Sequence, residues 1–272
     1  MLPSTLSASS MVISSLLFLP RASGILEVTI DGADGDIMRK QLKRVQFVES
    51  DLWIRLFTGG VKDIHSNQLQ GAFLSSEKHG PLPKIQTSAT HERVAVPRFD
   101  AGNSEPFYFE WTFFRPDSGL YVLTDASGVL LDEIMTLMEQ LGEQGVGTDR
   151  NVGGGKFVPV LSGQIELPDV PDSKSRMLLS LYLPTEKELA GIELKHSRYN
   201  LILRGGFMAG SAETSFRHLR KKSVYMFDEG SVLYSANLLE GMVTDLKPDW
   251  NDDAMHPVYR SGRVISVAIS DN

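Results

Sequence analysis

Residues Gly145-Val146-Gly147-Thr148-Asp149-Arg150-Asn151-Val152-Gly153-Gly154-Gly155-Lys156-Phe157 place five glycines and two cations in thirteen positions. Glycine loses the most backbone entropy on folding, so a cluster of it marks a chain that needs positive φ or close approach. Successive free amides in such a loop form a concavity that attracts anions. Arg150 adds a bidentate, permanently charged donor suited to phosphate, and Lys156 a second, compact charge. Two readings fit these residues on equal terms. One is a loop that grips a phosphate backbone. The other is a plain connector between a helix and a strand.

The familiar nucleotide loops do not fit. A P-loop reads G-x-x-x-x-G-K-[ST] and follows a strand. Here Lys156 is followed by Phe157, Arg150 stands where the first glycine belongs, and the loop follows a helix. A dinucleotide G-x-G-x-x-G fails as well, because Gly145 and Gly147 are followed by Arg150.

The other constellations are weaker. Asp249, Asn251, Asp252, Asp253 and His256 could hold a hard cation, but the bland reading is a capped turn in an exposed loop. No H-x-x-x-H, H-E-x-x-H or G-x-S-x-G occurs to anchor metal or triad chemistry. The run Arg217, His218, Arg220, Lys221, Lys222 is equally readable as a nucleic-acid or subunit face and as a solvated one. His256-Pro257-Val258-Tyr259-Arg260-Ser261-Gly262-Arg263 joins an aromatic to two arginines, the chemistry that holds single-stranded RNA.

At 272 residues the chain has room for one large domain or two small ones. The net charge of −7 excludes a basic coat over the whole surface and leaves room for a local basic groove. Cysteine is absent, which removes disulfides, thiolate nucleophiles and Cys-based zinc sites. The run Met11–Pro20 followed by Arg21-Ala22-Ser23-Gly24 has the look of a secretory h-region and cleavage site, but no Lys or Arg precedes it. A strand of the fold is the better expectation. No stretch reads as a membrane span, so the chain is expected to be soluble and cytoplasmic.

The elements that must position these residues follow from pattern. Asp31–Asp36 reads as a solvated turn. Ser50 is placed to cap a helix over 51–57 that stops at Gly59-Gly60. Residues 61–106 form a long polar excursion carrying His91, Arg93 and Arg98, read as a hairpin. Phe107–Phe114 and Leu120–Thr124 are read as two strands of one hairpin around Arg115-Pro116-Asp117-Ser118-Gly119. Positions 134, 137, 138 and 141 give a helix with a buried stripe, ended by Gly142. A strand from Phe157 to Leu167 is expected next, then a linker over 169–174. Strands are expected at 177–183, 199–203, 223–227 and 264–269, with a brief helix over 185–189. The fold class is α+β.

Together these segments resemble one family. The loop GVGTDRNVGGGKF, after a helix, resembles the glycine-rich loop of the RAMP superfamily of CRISPR RNA-binding proteins. The ending HPVYRSGRVISVAI, the LFLPR and RKQLKRVQFV segments and the FYFEWTFFRPDSGLYVL stretch are similar to subunit four of the type III-A Csm effector complexes, in the Cas-five-like group. The resemblance covers roughly residues 16 to 270 and implies tandem ferredoxin-like domains: 1–168, with a hairpin insertion near 61–106 and the loop at 145–155, and 169–272. It implies a non-catalytic, cofactor-free scaffold that caps the effector. Such a subunit holds the 5′ handle of the crRNA and bridges the large polymerase-cyclase subunit to the backbone RAMP subunit. Gly147, Arg150, Gly153, Gly154, Gly155 and Lys156 would line the handle. His91, Arg93 and Arg98 would reach the guide–target duplex on the hairpin, and Tyr259, Arg260 and Arg263 would add RNA contacts. The competing activity is a metal-independent RAMP-type endoribonuclease using His91 or His256 as general base. Family members usually open with a strand and a helix ahead of LFLPR. Here only Leu6–Ser10 could stand in for them. Either residues 1–20 supply a substitute strand, or the sequence starts late and the N-terminal unit is incomplete.

Overall fold

The computed structural model describes residues 7–13, 16–23, 35–58, 64–76, 82, 86–95, 105–116, 118–168, 170–208, 210–249 and 253–271. Residues 31–34, Arg98, Asp117, Asn251 and Asp252, named above, lie outside them. The chain divides into two compact units, Ala8–Val122 and Leu123–Asn272 with Met1–Ser7.

The first unit is built on a six-stranded sheet. Its strands are β1 (Ser7–Ile13), β2 (Leu16–Pro20), β3 (Phe47–Glu49), β4 (Leu69–Gln70), β5 (Phe73–Leu74) and β8 (Ser118–Leu123). The order is β4-β5-β3-β2-β1-β8. The LFLP run makes β2 a central strand, with Phe18 and Leu19 fully buried, as a continuous apolar run predicts. β1 supplies a neighbour on the side away from β3. Helix α1 (Gly35–Leu42) buries Met38 and Leu42, one turn apart, and leaves Arg39 and Lys40 exposed. Helix α2 (Ser50–Phe57) crosses between β3 and β5, which run parallel. It buries Leu52, Trp53 and Phe57, and the Trp53 indole N–H donates to the Pro20 carbonyl at 2.9 Å. Phe18, Phe47 and Phe73 form an aromatic cluster beside it.

Several expectations change here. Ser50 is the first residue of α2; Glu49 holds the cap position and makes no side-chain cap bond. The buried Glu49 carboxylate is instead taken up by the Ser76 amide at 2.6 Å. Residues 64–76 are not a free excursion, since Ile64 and Leu74 are buried and β4 and β5 extend the sheet. The hairpin proper is β6 (Gln86–Ala95) with β7 (Glu105–Phe114), antiparallel over ten residue pairs. The expected pairing of 107–114 with 120–124 therefore fails. β6 occupies β7, and β8 pairs into the large sheet, where the Tyr121 hydroxyl donates to the Phe18 carbonyl at 2.7 Å.

The second unit opens with helix α3 (Val129–Gln144). Its remaining elements are β9 (Ser175–Leu178), α4 (Glu186–Gly191), β10 (Leu201–Arg204), β11 (Val224–Phe227), β12 (Val232–Tyr234), β13 (Val243–Asp245), β14 (Tyr259–Ser261) and β15 (Ser266–Ile269). β9 is the middle of an antiparallel β12-β9-β15 sheet, and β10-β11 and β13-β14 form two-stranded sheets. The core gathers Leu178, Tyr182, Ile192, Phe227, Leu233 and Leu239. Thr185 caps α4 through a reciprocal capping box with Glu188. With β strands and helices in both units, the fold is mixed α+β.

Two expectations about the start of this unit also fail. Ile134 is buried, but Leu137 is 62% exposed and Leu141 is also exposed, so the α3 stripe is core at one position only. Residues 157–167 form no strand. They run without ladder bonds and expose Val158, Val160 and Leu161.

Candidate nucleic-acid interface

The glycine-rich loop is a closed turn. α3 runs past Gly142 and ends at Gly145, whose φ is 81°. Gly142 stays helical because the returning chain crosses it: the Phe157 amide donates to the Gly142 carbonyl at 3.2 Å, and a Cβ there would overlap the Phe157 carbonyl oxygen. The Val146 amide donates to the Gly155 carbonyl and the Gly154 amide to the Asp149 carbonyl, both at 2.9 Å. A single 3₁₀ turn over Arg150–Val152 sits between Asp149 and Gly153, both left-handed.

The glycines fall into two sets. Gly145, Gly154 and Gly155 close the loop, since a Cβ at any of them would run into loop backbone. Gly147 and Gly153 have φ of 84° and 89°, and a Cβ on either would meet nothing within 4 Å. The amide concavity is smaller than the sequence suggests, because the amides of 145, 146, 152, 153 and 154 are spent inside the protein. Those of Gly147, Thr148, Arg150 and Asn151 donate to no backbone carbonyl among the described residues. Arg150 and Lys156 are exposed beside them. The loop thus offers free N–H groups, open space and two cations, a combination suited to a phosphate.

The β6–β7 ribbon carries His91 and Arg93. Its register places Thr87, Ala89, His91 and Arg93 on one face with Phe107, Phe109, Trp111 and Phe113. The Arg93 guanidinium lies over the Phe109 ring at 5.3 Å and the Trp111 ring at 5.9 Å. The His91 ring meets Trp111 edge-on at 6.5 Å. From sequence these four aromatics mark only a strand; their period-two spacing, set against that of His91 and Arg93, is the signal that places all six on one face.

The C-terminal motif is less concentrated. Tyr259 and Arg260 are successive residues of β14 and so point to opposite faces. Tyr259 and Arg263 are exposed, whereas Arg260 is half-buried. Gly262 is structural, since a Cβ there would collide with Leu183. His256 has both ring nitrogens engaged: Nδ1 lies 3.0 Å from the Pro257 carbonyl and Nε2 2.9 Å from the Ser211 hydroxyl. In the basic run, Arg217 donates to the Ser211 carbonyl, Arg220 lies over Phe207 and Lys222 pairs with Asp249 at 2.5 Å. Among the described residues no group of three acidic or histidine side chains could hold a metal ion, and no helix is long and apolar enough to cross a membrane.

Known proteins resemble this architecture. Residues 171–269 match the family model of the CRISPR Csm4 C-terminal domain. No curated protein sequence matches the chain. A chain of the crystal structure of the Csm3-Csm4 subcomplex in the type III-A CRISPR-Cas interference complex superposes with a TM-score of 0.59 at 16% identity, covering 98% of this chain and 83% of that one. A chain of the Csm1-Csm4 cassette in complex with cA4 superposes with a TM-score of 0.59 at 15% identity, covering 98% and 79%. The same cassette with AMPPNP gives a TM-score of 0.59 at 16% identity, covering 98% and 78%. The fold is shared at an identity that carries the architecture alone.

Proposed function

We propose, from the match of residues 171–269 to the family model of the CRISPR Csm4 C-terminal domain, that the chain is a non-catalytic, RNA-binding scaffold subunit of a type III-A CRISPR effector. In this reading it caps the complex in the cytoplasm and holds the 5′ handle of the crRNA in the loop at 145–156. The β6–β7 hairpin, with His91, Arg93 and Arg98, reaches the target RNA. Tyr259, Arg260 and Arg263 add contacts from the C-terminal unit. The partners are a large polymerase-cyclase subunit and a backbone RAMP subunit, in keeping with the Csm1-Csm4 and Csm3-Csm4 assemblies whose chains share the fold.

The observation that carries the RNA reading is the pair Gly147 and Gly153. Packing explains the glycines that close the loop, but among the described residues nothing occupies the space next to these two. Left-handed backbone alone accounts for them as glycine, and between them the amides of Thr148, Arg150 and Asn151 donate to no backbone carbonyl among the described residues, with the exposed Arg150 side chain beside them. Phosphate oxygens of successive nucleotides fit that arrangement, and Lys156 adds screening at the loop's base.

The test is binding of a repeat-derived RNA oligonucleotide by fluorescence anisotropy across a salt series. The Arg150→Ala/Lys156→Ala variant should bind more weakly and lower the salt slope by roughly 1 to 1.5, about 0.7 per lost phosphate contact on a single strand. Equal binding by both proteins at low and at moderate salt overturns the assignment.

A further inference from the structure

We propose that one edge of the straight segment 156–166 is a self-pairing surface, which takes the same segment of a second copy of this chain as an antiparallel strand. Neither this pairing nor its test depends on RNA binding.

The segment is a strand without a ladder. From 156 to 168 the described chain makes no turn or bend, and no residue over that run has a left-handed backbone. In an extended chain the N–H and C=O of one residue point to one edge, and those of the next residue to the other. The two edges here are unequal. On the odd edge the Phe157 amide is spent on the Gly142 carbonyl at 3.2 Å, and Pro159 has no N–H to offer. On the even edge Val158, Val160, Ser162 and Gln164 neither donate to nor accept from any backbone group among the described residues. Proline on one edge and an unbroken row of donors and acceptors on the other is the pattern of a strand paired on one side. Val158 and Val160 are 85% and 83% exposed, and Leu161 and Ile165 are exposed too, so bare apolar surface flanks the open row.

Charge and side-chain order select the occupant. Lys156 and Glu166 are both exposed, and neither has an ion-pair partner among the described residues. They close the two ends of a run, 157–165, that holds no charge. A two-fold axis through Leu161 sets two copies antiparallel with their even edges together. Val160 then exchanges both main-chain hydrogen bonds with Ser162 of the second copy, and Val158 with Gln164. Lys156 faces Glu166 at each end. Between these bonded pairs Phe157 meets Ile165, Leu161 meets its own copy and Pro159 meets Gly163, which gives one apolar face. Pro159 falls where no ladder bond is made, so its missing N–H is not needed. Moving the axis to Val160 sets Lys156 against Gln164, and moving it to Ser162 sets Glu166 against Val158. The axis through Leu161 is the one that joins cation to anion. A foreign strand would have to carry this order in reverse, whereas a second copy carries it by symmetry.

The experiment is multi-angle light scattering of the full chain across a concentration series, with a rise to twice the mass of one chain expected. Ser162→Pro removes one even-edge N–H from each copy and should weaken the dimer about 25-fold, about fivefold for each bond lost. Ser162→Ala keeps the amide and should leave the dimer unchanged. Glu166→Lys sets like charges opposite each other and should weaken it about tenfold, as should Lys156→Glu. The double variant Lys156→Glu/Glu166→Lys should restore the parent's affinity. All these side chains are exposed, and circular dichroism verifies each fold. Should Ser162→Pro not fold, the charge exchange carries the test alone. In the parent, amide exchange should slow with concentration at Val158, Val160, Ser162 and Gln164 and not at Leu161 and Gly163. A monomer at every concentration overturns the proposal. So does a dimer that Ser162→Pro and Glu166→Lys leave intact, or a double charge variant that associates no better than either single one.

Discussion

The Val146 amide donates to the Gly155 carbonyl at 2.9 Å, and the Val146 carbonyl oxygen occupies the place a Cβ on residue 155 would need. This one contact ties the loop's two ends together and fixes what residue 155 can be. Gly155 has φ of 69°, so alanine there meets both left-handed strain, about 1–2 kcal/mol, and a backbone clash. Gly155→Ala should open the loop and weaken RNA binding as far as the Arg150→Ala/Lys156→Ala pair does. Gly147→Ala meets the strain alone, because its Cβ projects into open space. It should lower the melting temperature by only a few degrees yet still impair RNA binding, since the methyl enters the volume assigned to the ligand. Paired thermal melts and anisotropy titrations check this. If Gly147→Ala binds RNA as well as the parent does, the open side of the loop is not the binding side.

Asn151 sits between the two free-space glycines, and its amide donates to no backbone carbonyl among the described residues. Replacing Asn151 with proline would remove that donor without removing charge. Asn151→Pro should weaken handle RNA binding about tenfold, the low end of the worth of one hydrogen bond to a charged oxygen, with the salt slope kept. A lowered slope, or no loss, would assign the affinity to the side-chain cations alone. Circular dichroism shows whether the 3₁₀ turn tolerates the ring.

The parts legible in the sequence were those with a strong local signal. The apolar LFLP run, the brief helix over 185–189 and the strands around 177, 201, 225 and 267 all lie near their expected positions. The misses have physical reasons. The 107–114 and 120–124 runs have good turn residues between them, but pairing is decided by who else competes for each edge, and β6 takes all ten residues of β7. Gly142 looked like a helix stop; the chain uses it as a crossing point for Phe157, which no periodicity records. The apolar period of α3 was read as burial, yet Leu137 is exposed, because periodicity shows a face and not what covers it. In the loop, the cations and glycines are legible, but the division of glycines into closing and open sets depends on backbone well along the chain, Val146 for Gly155 and Asp149 for Gly154.

Arg21 anchors the first unit from the end of the LFLPR segment. Its Nη1 donates to the Leu42 carbonyl at 2.7 Å and to the Val45 carbonyl at 3.2 Å. The charge thus sits at the C-terminal end of α1, where the helix dipole favours a cation, while burial pushes the guanidinium pKa down from its ordinary value. Arg21→Met keeps the apolar stem and removes the donors, leaving the Leu42 carbonyl with the Val45 amide alone and taking the Arg21 donor from the Val45 carbonyl. A loss of about 1–2 kcal/mol in urea unfolding is expected, with amide exchange speeding up in α1 before the rest. Arg21→Lys should restore only part of it, since an ammonium cannot span both carbonyls as the planar fork does. Equal stability of Arg21→Met and the parent would show the bonds to be incidental.

Glu188 holds the second unit together across sequence. Its carboxylate accepts from the Thr185 amide and hydroxyl at 2.8 Å, the Glu240 amide at 2.7 Å and the Gly241 amide at 3.0 Å. Burial alone would raise its pKa; the hydrogen bonds from Gly241, Thr185 and Glu240 outweigh that and pull it to about 2. A carboxyl depressed on folding favours the native state at every pH above its unfolded value near 4.3. That contribution fades as pH falls from about 5 toward 2, when the folded form must take up the proton. Because the group is only partly buried, solvent screening trims the contribution to about 1–2 kcal/mol. Glu188→Gln should therefore be destabilised by that amount at pH 7 and lose less stability than the parent between pH 5 and pH 3, so the two melting curves converge in acid. Parallel pH profiles for the two proteins would mean that the carboxylate's charge does not bind α4 to the 240–241 turn.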